Sequence, residues 1–145
     1  MIGPIEPIKF SVMGMKLPVI DVRSPGEYRQ GHITGAFNIP LFDDTERAVV
    51  GTLYTCQGKD KAILKGLEFA LSRTQAYLKQ LKKVVSGREI LIHCWRGGMR
   101  SASMAELFSQ AGYQVHLLEG GYKAWRRMIR ASLCAPAAVV VLGGP

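Results

Sequence analysis

The sequence is poor in cysteine: Cys56, Cys94 and Cys134 are the only three in 145 residues. An odd, widely spaced set excludes a disulfide framework and points to a reducing, cytosolic setting. Histidine is equally scarce, and no Cys/His spacing fits a metal site, so no metal is expected. No apolar run approaches the roughly 18 residues of a membrane span, so no membrane partner is expected. The N-terminus, Met1 to Phe10, has two prolines and lacks a cationic start followed by an apolar core, which argues against a secretory signal. Internal repeats and low-complexity tracts are missing. Acids are in deficit, 11 against 19 basic residues, leaving a net charge of +8. That excess suits an anionic partner: nucleic acid, a phosphate-bearing ligand or a small anion. The composition, 48% hydrophobic and 21% charged, is that of one folded domain with a sizeable core.

Short apolar runs alternate with helical patterns along the chain. Strands are expected at Ile8–Val12, Val19–Val22, Phe37–Ile39, Ile90–His93 and Val115–Leu118. Ser24-Pro25-Gly26-Glu27 carries a helix cap, a proline suited to the first helical position and a glutamate three residues after the cap. That helix should stop by Gly31. Asp43-Asp44 caps a short helix expected to run through Val49. Asp60 to Val85 has helical spacing with a polar break at Thr74, and Gly66 weakens it enough to suggest two helices. Arg100–Ala111, with Met104, Leu107 and Phe108 inward, and Tyr122 to about Ser132 complete the helices. The alternation implies an α/β fold with a central, mostly parallel sheet of about five strands flanked by helices. Ala137–Leu142 reads as a buried strand followed by Gly143-Gly144-Pro145, which is how phosphate-binding loops begin. The expected organisation is therefore a domain over 1–132. A linker at Leu133–Pro136 and the first strand of a further domain would fill 133–145, the chain being cut from a longer protein.

The chemistry concentrates at Cys94-Trp95-Arg96-Gly97-Gly98-Met99-Arg100-Ser101. A cysteine leaves the carboxyl end of a strand, where parallel sheets place their sites. Gly97 and Gly98 let the following loop curl, so that backbone N–H groups form an anion nest at a helix N-terminus. The same field favours thiolate over thiol. Arg96 and Arg100 add positive charge, and Arg100 could fork onto an oxyanion. Two chemistries use a thiolate in a C-x5-R cradle, phosphate-ester cleavage and sulfur transfer through a persulfide, and the loop spacing alone does not choose between them.

The flanking segments resemble the rhodanese superfamily. Asp21-Val22-Arg23-Ser24-Pro25-Gly26-Glu27-Tyr28, followed by Gly31-His32-Ile33-Thr34-Gly35-Ala36-Phe37-Asn38-Ile39-Pro40, is similar to its N-terminal signature. Leu118-Glu119-Gly120-Gly121-Tyr122-Lys123-Ala124-Trp125 is similar to its C-terminal one. Ordinary single-domain rhodaneses often read C-x-x-G-x-R-S, one residue shorter. The loop here resembles the C-x-R-G-G-x-R-S of bacterial tRNA 2-selenouridine synthases. Glu46-Arg47-Ala48-Val49-Val50-Gly51-Thr52-Leu53-Tyr54, Gln57-Gly58 and Gly66 resemble that family's insert. Thr55-Cys56 departs from the Lys-Gln usual after the tyrosine.

The resemblance implies a rhodanese fold followed by a P-loop domain, and a two-step modification of the tRNA wobble uridine. In that family 2-thiouridine is geranylated, and the geranylthio group is then exchanged for selenium from selenophosphate. Selenophosphate and geranyl diphosphate are thus the implied substrates, no cofactor is expected in this segment, and tRNA rather than DNA is the implied partner. Cys94 would be the catalytic nucleophile, with Trp95, Arg96, Gly97, Gly98, Met99 and Arg100 as the substrate loop. Asp21, Arg23 and Gly66 are accessory candidates, Asp21 and Arg23 pairing with each other or with the loop. A stand-alone thiosulfate sulfurtransferase, a C-x5-R phosphatase or arsenate reductase, and a binding module without turnover are the alternatives. A phosphatase would want an aspartate acid on a loop, for which Asp43, Asp44 and Asp60 are the candidates. His32 is expected to bond at a helix end and His93 to pack or bond backbone. Lys123, Arg126, Arg127 and Arg130 on one helix face, and Lys79, Lys82 and Lys83 on another, could meet a tRNA backbone.

Overall fold

A computed structural model describes residues 2–134. Strands β1 (Ile2–Ile5), β2 (Val19–Asp21), β3 (Phe37–Asn38), β4 (Glu89–His93) and β5 (Gln114–Leu118) form one sheet in the order β1-β5-β4-β2-β3. Every pairing is parallel. Around it lie helices α1 (Pro7–Met13), α2 (Pro25–Gln30), α3 (Asp44–Gln57), α4 (Lys59–Ala70), α5 (Thr74–Val84), α6 (Met99–Gln110) and α7 (Gly121–Cys134).

The central strands are apolar on both faces, as a covered parallel sheet requires. Period-two alternation divides them. Ile20, Val22, Ile90 and Ile92 face a core with Tyr77, Leu81, Met104 and Phe108, while Val19 and Leu91 face a second core with Phe10, Ala36 and Leu118. Burying each large side chain contributes about 1.5–3 kcal/mol. Trp125 of α7 ties into the second core and donates its indole N–H to Ser11 of α1 at 2.9 Å.

Three expectations change. Ile8–Val12 is helical, and the first strand is Ile2–Ile5. Pro7 occupies the first turn of α1, Phe10 alone points inward, and Ile8 and Val12 lie one turn apart on the exposed side. Pro4 is tolerated in β1 because that strand is at the sheet edge. The helix capped by Asp43 continues past Val49 to Gln57, held by its packing against α4. The long segment after it is two helices, as expected, divided by a 3-10 turn, Leu71–Arg73, at the polar break beside Thr74. Gly66 is buried, and a β-carbon there would meet the Phe42 ring at 3.1 Å, so its smallness serves packing. Finally, α7 runs through Cys134, two residues into the segment read as a linker. The strand expected at Ala137–Leu142 lies outside the described residues.

Candidate active site

Cys94 follows the last residue of β4 and is 2% exposed. Its loop is locked to the turn between β5 and α7. The Tyr122 N–H donates to the Cys94 carbonyl at 2.9 Å, and the Lys123 N–H to the Trp95 carbonyl at 3.0 Å. This requires glycine on both sides. Gly97 and Gly121 take φ of +71° and +66°, and a β-carbon on Gly121 would lie 2.5 Å from Gly97 N and Trp95 O. The thiol lies 3.1 Å from the hydroxyl of Ser101, in the first turn of α6, and that hydroxyl also reaches the Gly98 carbonyl at 3.2 Å. With the hydroxyl donating to Gly98, it accepts from the thiol. Once the thiol ionises, the same hydroxyl can turn and donate to sulfur.

An open pocket of about 320 Å³ adjoins this loop, lined by Arg23, Glu27, Gln30, Gly31, Arg47, Trp95, Arg100 and Tyr122. Its mouth is organised by Glu27. The expected capping box is present: the Ser24 side chain accepts from the Glu27 N–H, and the Glu27 carboxylate accepts from the Ser24 N–H at 3.1 Å. The same carboxylate takes a bidentate fork from Arg100, at 2.6 and 3.3 Å. Burial pushes the Glu27 carboxyl up, but the Arg100 guanidinium and the Ser24 hydrogen bonds prevail and hold it below the usual carboxylate range. Glu27 is therefore ionised at neutral pH, and Arg100 is anchored from across the pocket.

Asp21 and Arg23 form the floor, and they pair with each other. Arg23 donates through Nε and Nη2 to Asp21 at 3.0 and 2.7 Å, and through Nη2 to the Gly31 carbonyl at 2.7 Å. Its guanidinium lies 4.1 Å from the centre of the Tyr122 ring. Parallel register sets His93 opposite Asp21, on the same sheet face. His93 Nδ1 bonds the Cys94 carbonyl at 3.1 Å, while Nε2 sits 3.7 Å from the Asp21 carboxylate without a hydrogen bond. Burial pushes the imidazole below its usual range, more than Asp21 raises it. His93 is therefore neutral, donating from Nδ1 to the Cys94 carbonyl.

The structure brings Trp95, Arg100 and Arg23 together around the pocket, with Asp21 beneath, while Cys94 is buried at the base of the loop and does not itself line the pocket. Arg96, Gly98 and Met99 are exposed on the loop and do not line the pocket, and Gly66 stands in α4 against Phe42. Ser101, Tyr122, Arg47 and the bridging role of Glu27 were not anticipated. Glu27 had a second role hidden behind its capping pattern. Ser101 carried the one usable signal, a hydroxyl at the start of the helix that follows the Cys94 loop. His32 bonds the Tyr28 carbonyl at 2.8 Å and stacks on that ring, the structural role expected of it. Among the described residues no group of three or more His, Cys, Asp or Glu side chains gathers as a metal site, and no helix is long and apolar enough to cross a membrane.

Comparison with known proteins agrees with this geometry. The profile of the rhodanese-like domain matches residues 11–128. A tRNA 2-selenouridine synthase from Serratia proteamaculans strain 568 is 38% identical over 135 residues, covering 88% of this chain and 36% of that protein. One of the same name from Bdellovibrio bacteriovorus is 39% identical, covering 78% and 30%. The chain thus spans about a third of these relatives' length. Among solved structures, an N-terminal domain from a Clostridium difficile 630 protein named for ATP/GTP binding is 40% identical with a TM-score of 0.78, covering 88% of this chain and 98% of that one. A thiosulfate sulfurtransferase from Pseudomonas aeruginosa, 17% identical at a TM-score of 0.55, covers 87% of this chain and 18% of its own, and shares the fold. With the parallel sheet, the cysteine loop at its carboxyl edge and the family match over most of its length, this chain belongs to the rhodanese-like domain family.

Proposed function

We propose that the chain is the rhodanese domain of a tRNA 2-selenouridine synthase, with Cys94 as the nucleophile that handles sulfur or selenium on the way to 2-thiouridine at the tRNA wobble position. Identity of 38% to a protein of that name over 135 residues, a span that includes the Cys94 loop, carries this reading. Selenophosphate is the proposed donor, geranyl diphosphate the substrate of the companion reaction, and the cytoplasm the setting. The thiolate of Cys94 supplies the electron pair. Ser101 stabilises it, His93 and Tyr122 hold its backbone, and Arg100 stays positioned by Glu27.

The phosphatase alternative lacks its acid. Asp43 caps α3, Asp44 accepts from the Gly26 N–H at 2.8 Å, and Asp60 lies in α4, so none of the three lines the pocket. The carboxyl that does line it, Glu27, is ionised and forked by Arg100, and cannot donate a proton to a leaving group near neutral pH. The test is selenation of tRNA by the full-length protein carrying Cys94→Ser or Cys56→Ser. Cys94→Ser should abolish incorporation with the fold intact, and Cys56→Ser should retain it. Loss of activity in folded Cys56→Ser would contradict a single-thiol mechanism.

A further inference from the structure

Of the three arginines lining the pocket, two are each hydrogen-bonded to a carboxylate. Arg23 donates through Nε and Nη2 to Asp21 and the Gly31 carbonyl, and Arg100 through both Nη atoms to the two oxygens of Glu27. Arg47, in α3, is not. Its Nε lies 3.5 Å from the Glu27 oxygen that Arg100 already holds at 2.6 Å. The other acid acting on it, Asp44, is taken by the Gly26 N–H and by Arg29 at 3.4 Å. Among the described residues the Arg47 guanidinium makes no hydrogen bond, although its side chain is only 47% exposed. One carboxylate thus serves two guanidiniums, and the pocket wall keeps a surplus positive charge beside the Cys94 loop.

The surplus is built into the frame. The first turn of α3 is fixed by the Asp43–Glu46 capping box, by an ion pair between Glu46 and Arg73, and by Asp44 on the N-terminal turn of α2. Gly26 makes the last contact possible, since a β-carbon there would sit 2.7 Å from the Asp44 oxygen. Glu27, in that same turn of α2, clasps Arg100. The backbone that carries Arg47 is therefore held in a fixed relation to the turn of α2 whose Glu27 grips the cysteine loop.

We propose that Arg47 is the anion-specificity residue of this pocket: its open guanidinium fork binds a phosphate-type oxyanion and brings the molecule bearing it to Cys94. A planar fork matches two phosphate oxygens, and a pocket of about 320 Å³ has room for the group and what it carries. This deepens the transferase reading by naming the chemical group selected. The phosphate could belong to a free donor or to a nucleic-acid backbone, and the probes below separate the two.

The experiment is calorimetric titration of the folded chain with inorganic phosphate and, separately, with a tRNA anticodon stem-loop. Wild type is compared with Arg47→Gln, Arg47→Lys and the charge-matched surface control Lys16→Gln. Arg47→Gln should weaken binding roughly tenfold, Arg47→Lys should fall between it and wild type, and Lys16→Gln should match wild type. Loss confined to inorganic phosphate assigns the site to a free donor, and loss confined to the stem-loop assigns it to nucleic acid. Equal binding by wild type and Arg47→Gln with both probes, or no binding of either by wild type, overturns the proposal. Sulfur or selenium uptake on Cys94 is read separately. Arg47-dependent binding without uptake would leave this assignment standing and remove the transferase reading.

Discussion

Asp21→Asn removes one charge from the buried pair beneath the pocket and leaves the other in place. Asp21 is fully buried and Arg23 is 2% exposed, so the guanidinium has little water to turn to. Breaking one partner of a buried pair costs about 3–5 kcal/mol. The lower end applies here, because Arg23 keeps the Gly31 carbonyl and the face of Tyr122. A loss near 3 kcal/mol is a large share of the roughly 5–15 kcal/mol that holds a domain together. At about 2–4 °C per kcal/mol it lowers Tm by roughly 10 °C. Urea unfolding followed by far-ultraviolet circular dichroism measures it. The double variant Asp21→Leu/Arg23→Met should be more stable than Asp21→Asn, because no uncompensated charge remains. If Asp21→Asn falls within about 1 kcal/mol of wild type, or the double variant costs at least the sum of its two single changes, the pair does not act as described.

His93 makes stability depend on pH. Its folded pKa is depressed, so below the ordinary imidazole value of about 6.5 the unfolded chain takes up a proton that the folded chain refuses. Stability is fully present above that value and is lost as pH falls from it toward the folded pKa, by up to about 1.4 kcal/mol per unit. Urea midpoints between about pH 5 and 8 should show a slope that His93→Asn reduces; equal slopes would mean that the imidazole protonates in the fold. The basic face of α7 should contribute to tRNA binding by the full-length protein: replacing Arg126, Arg127 and Arg130 with Gln should flatten the dependence of log affinity on log salt by roughly 0.7–0.9 per lost phosphate contact. An unchanged slope would place the tRNA elsewhere.

The parts of the fold set by local chemistry were legible in the sequence. Apolar β-branched runs marked β2, β4 and β5, and the Ser24–Glu27 box marked α2. The Cys94 loop was recognisable because two glycines and two arginines crowd directly behind a cysteine at the end of an apolar strand. The first strand was missed because Ile2–Ile5 is stabilised by pairing with β5, more than a hundred residues away, while the apolar pattern of Ile8–Val12 fits a strand or one helical turn equally well. The pocket mouth was hidden for a related reason. Glu27 and Arg100 are 73 positions apart, and only the parallel register of β2 against β4 brings their elements together. The placement of Arg47 depends on where Asp44 docks, which no local pattern around it reveals.

The central claim is that Cys94 is a transferring thiol. Its most direct test is the intact mass of the folded domain after incubation with thiosulfate. The Cys94 thiolate would attack the outer sulfur, the sulfur–sulfur bond of the donor would break, and sulfite would leave with the electron pair. Wild type and Cys56→Ser should each gain the mass of one sulfur atom, peptide mapping should place it on Cys94, and reductant should remove it. Cys94→Ser should gain none. The account is contradicted if wild type takes up no sulfur on Cys94 yet hydrolyses an aryl phosphate briskly, with that hydrolysis abolished in Cys94→Ser.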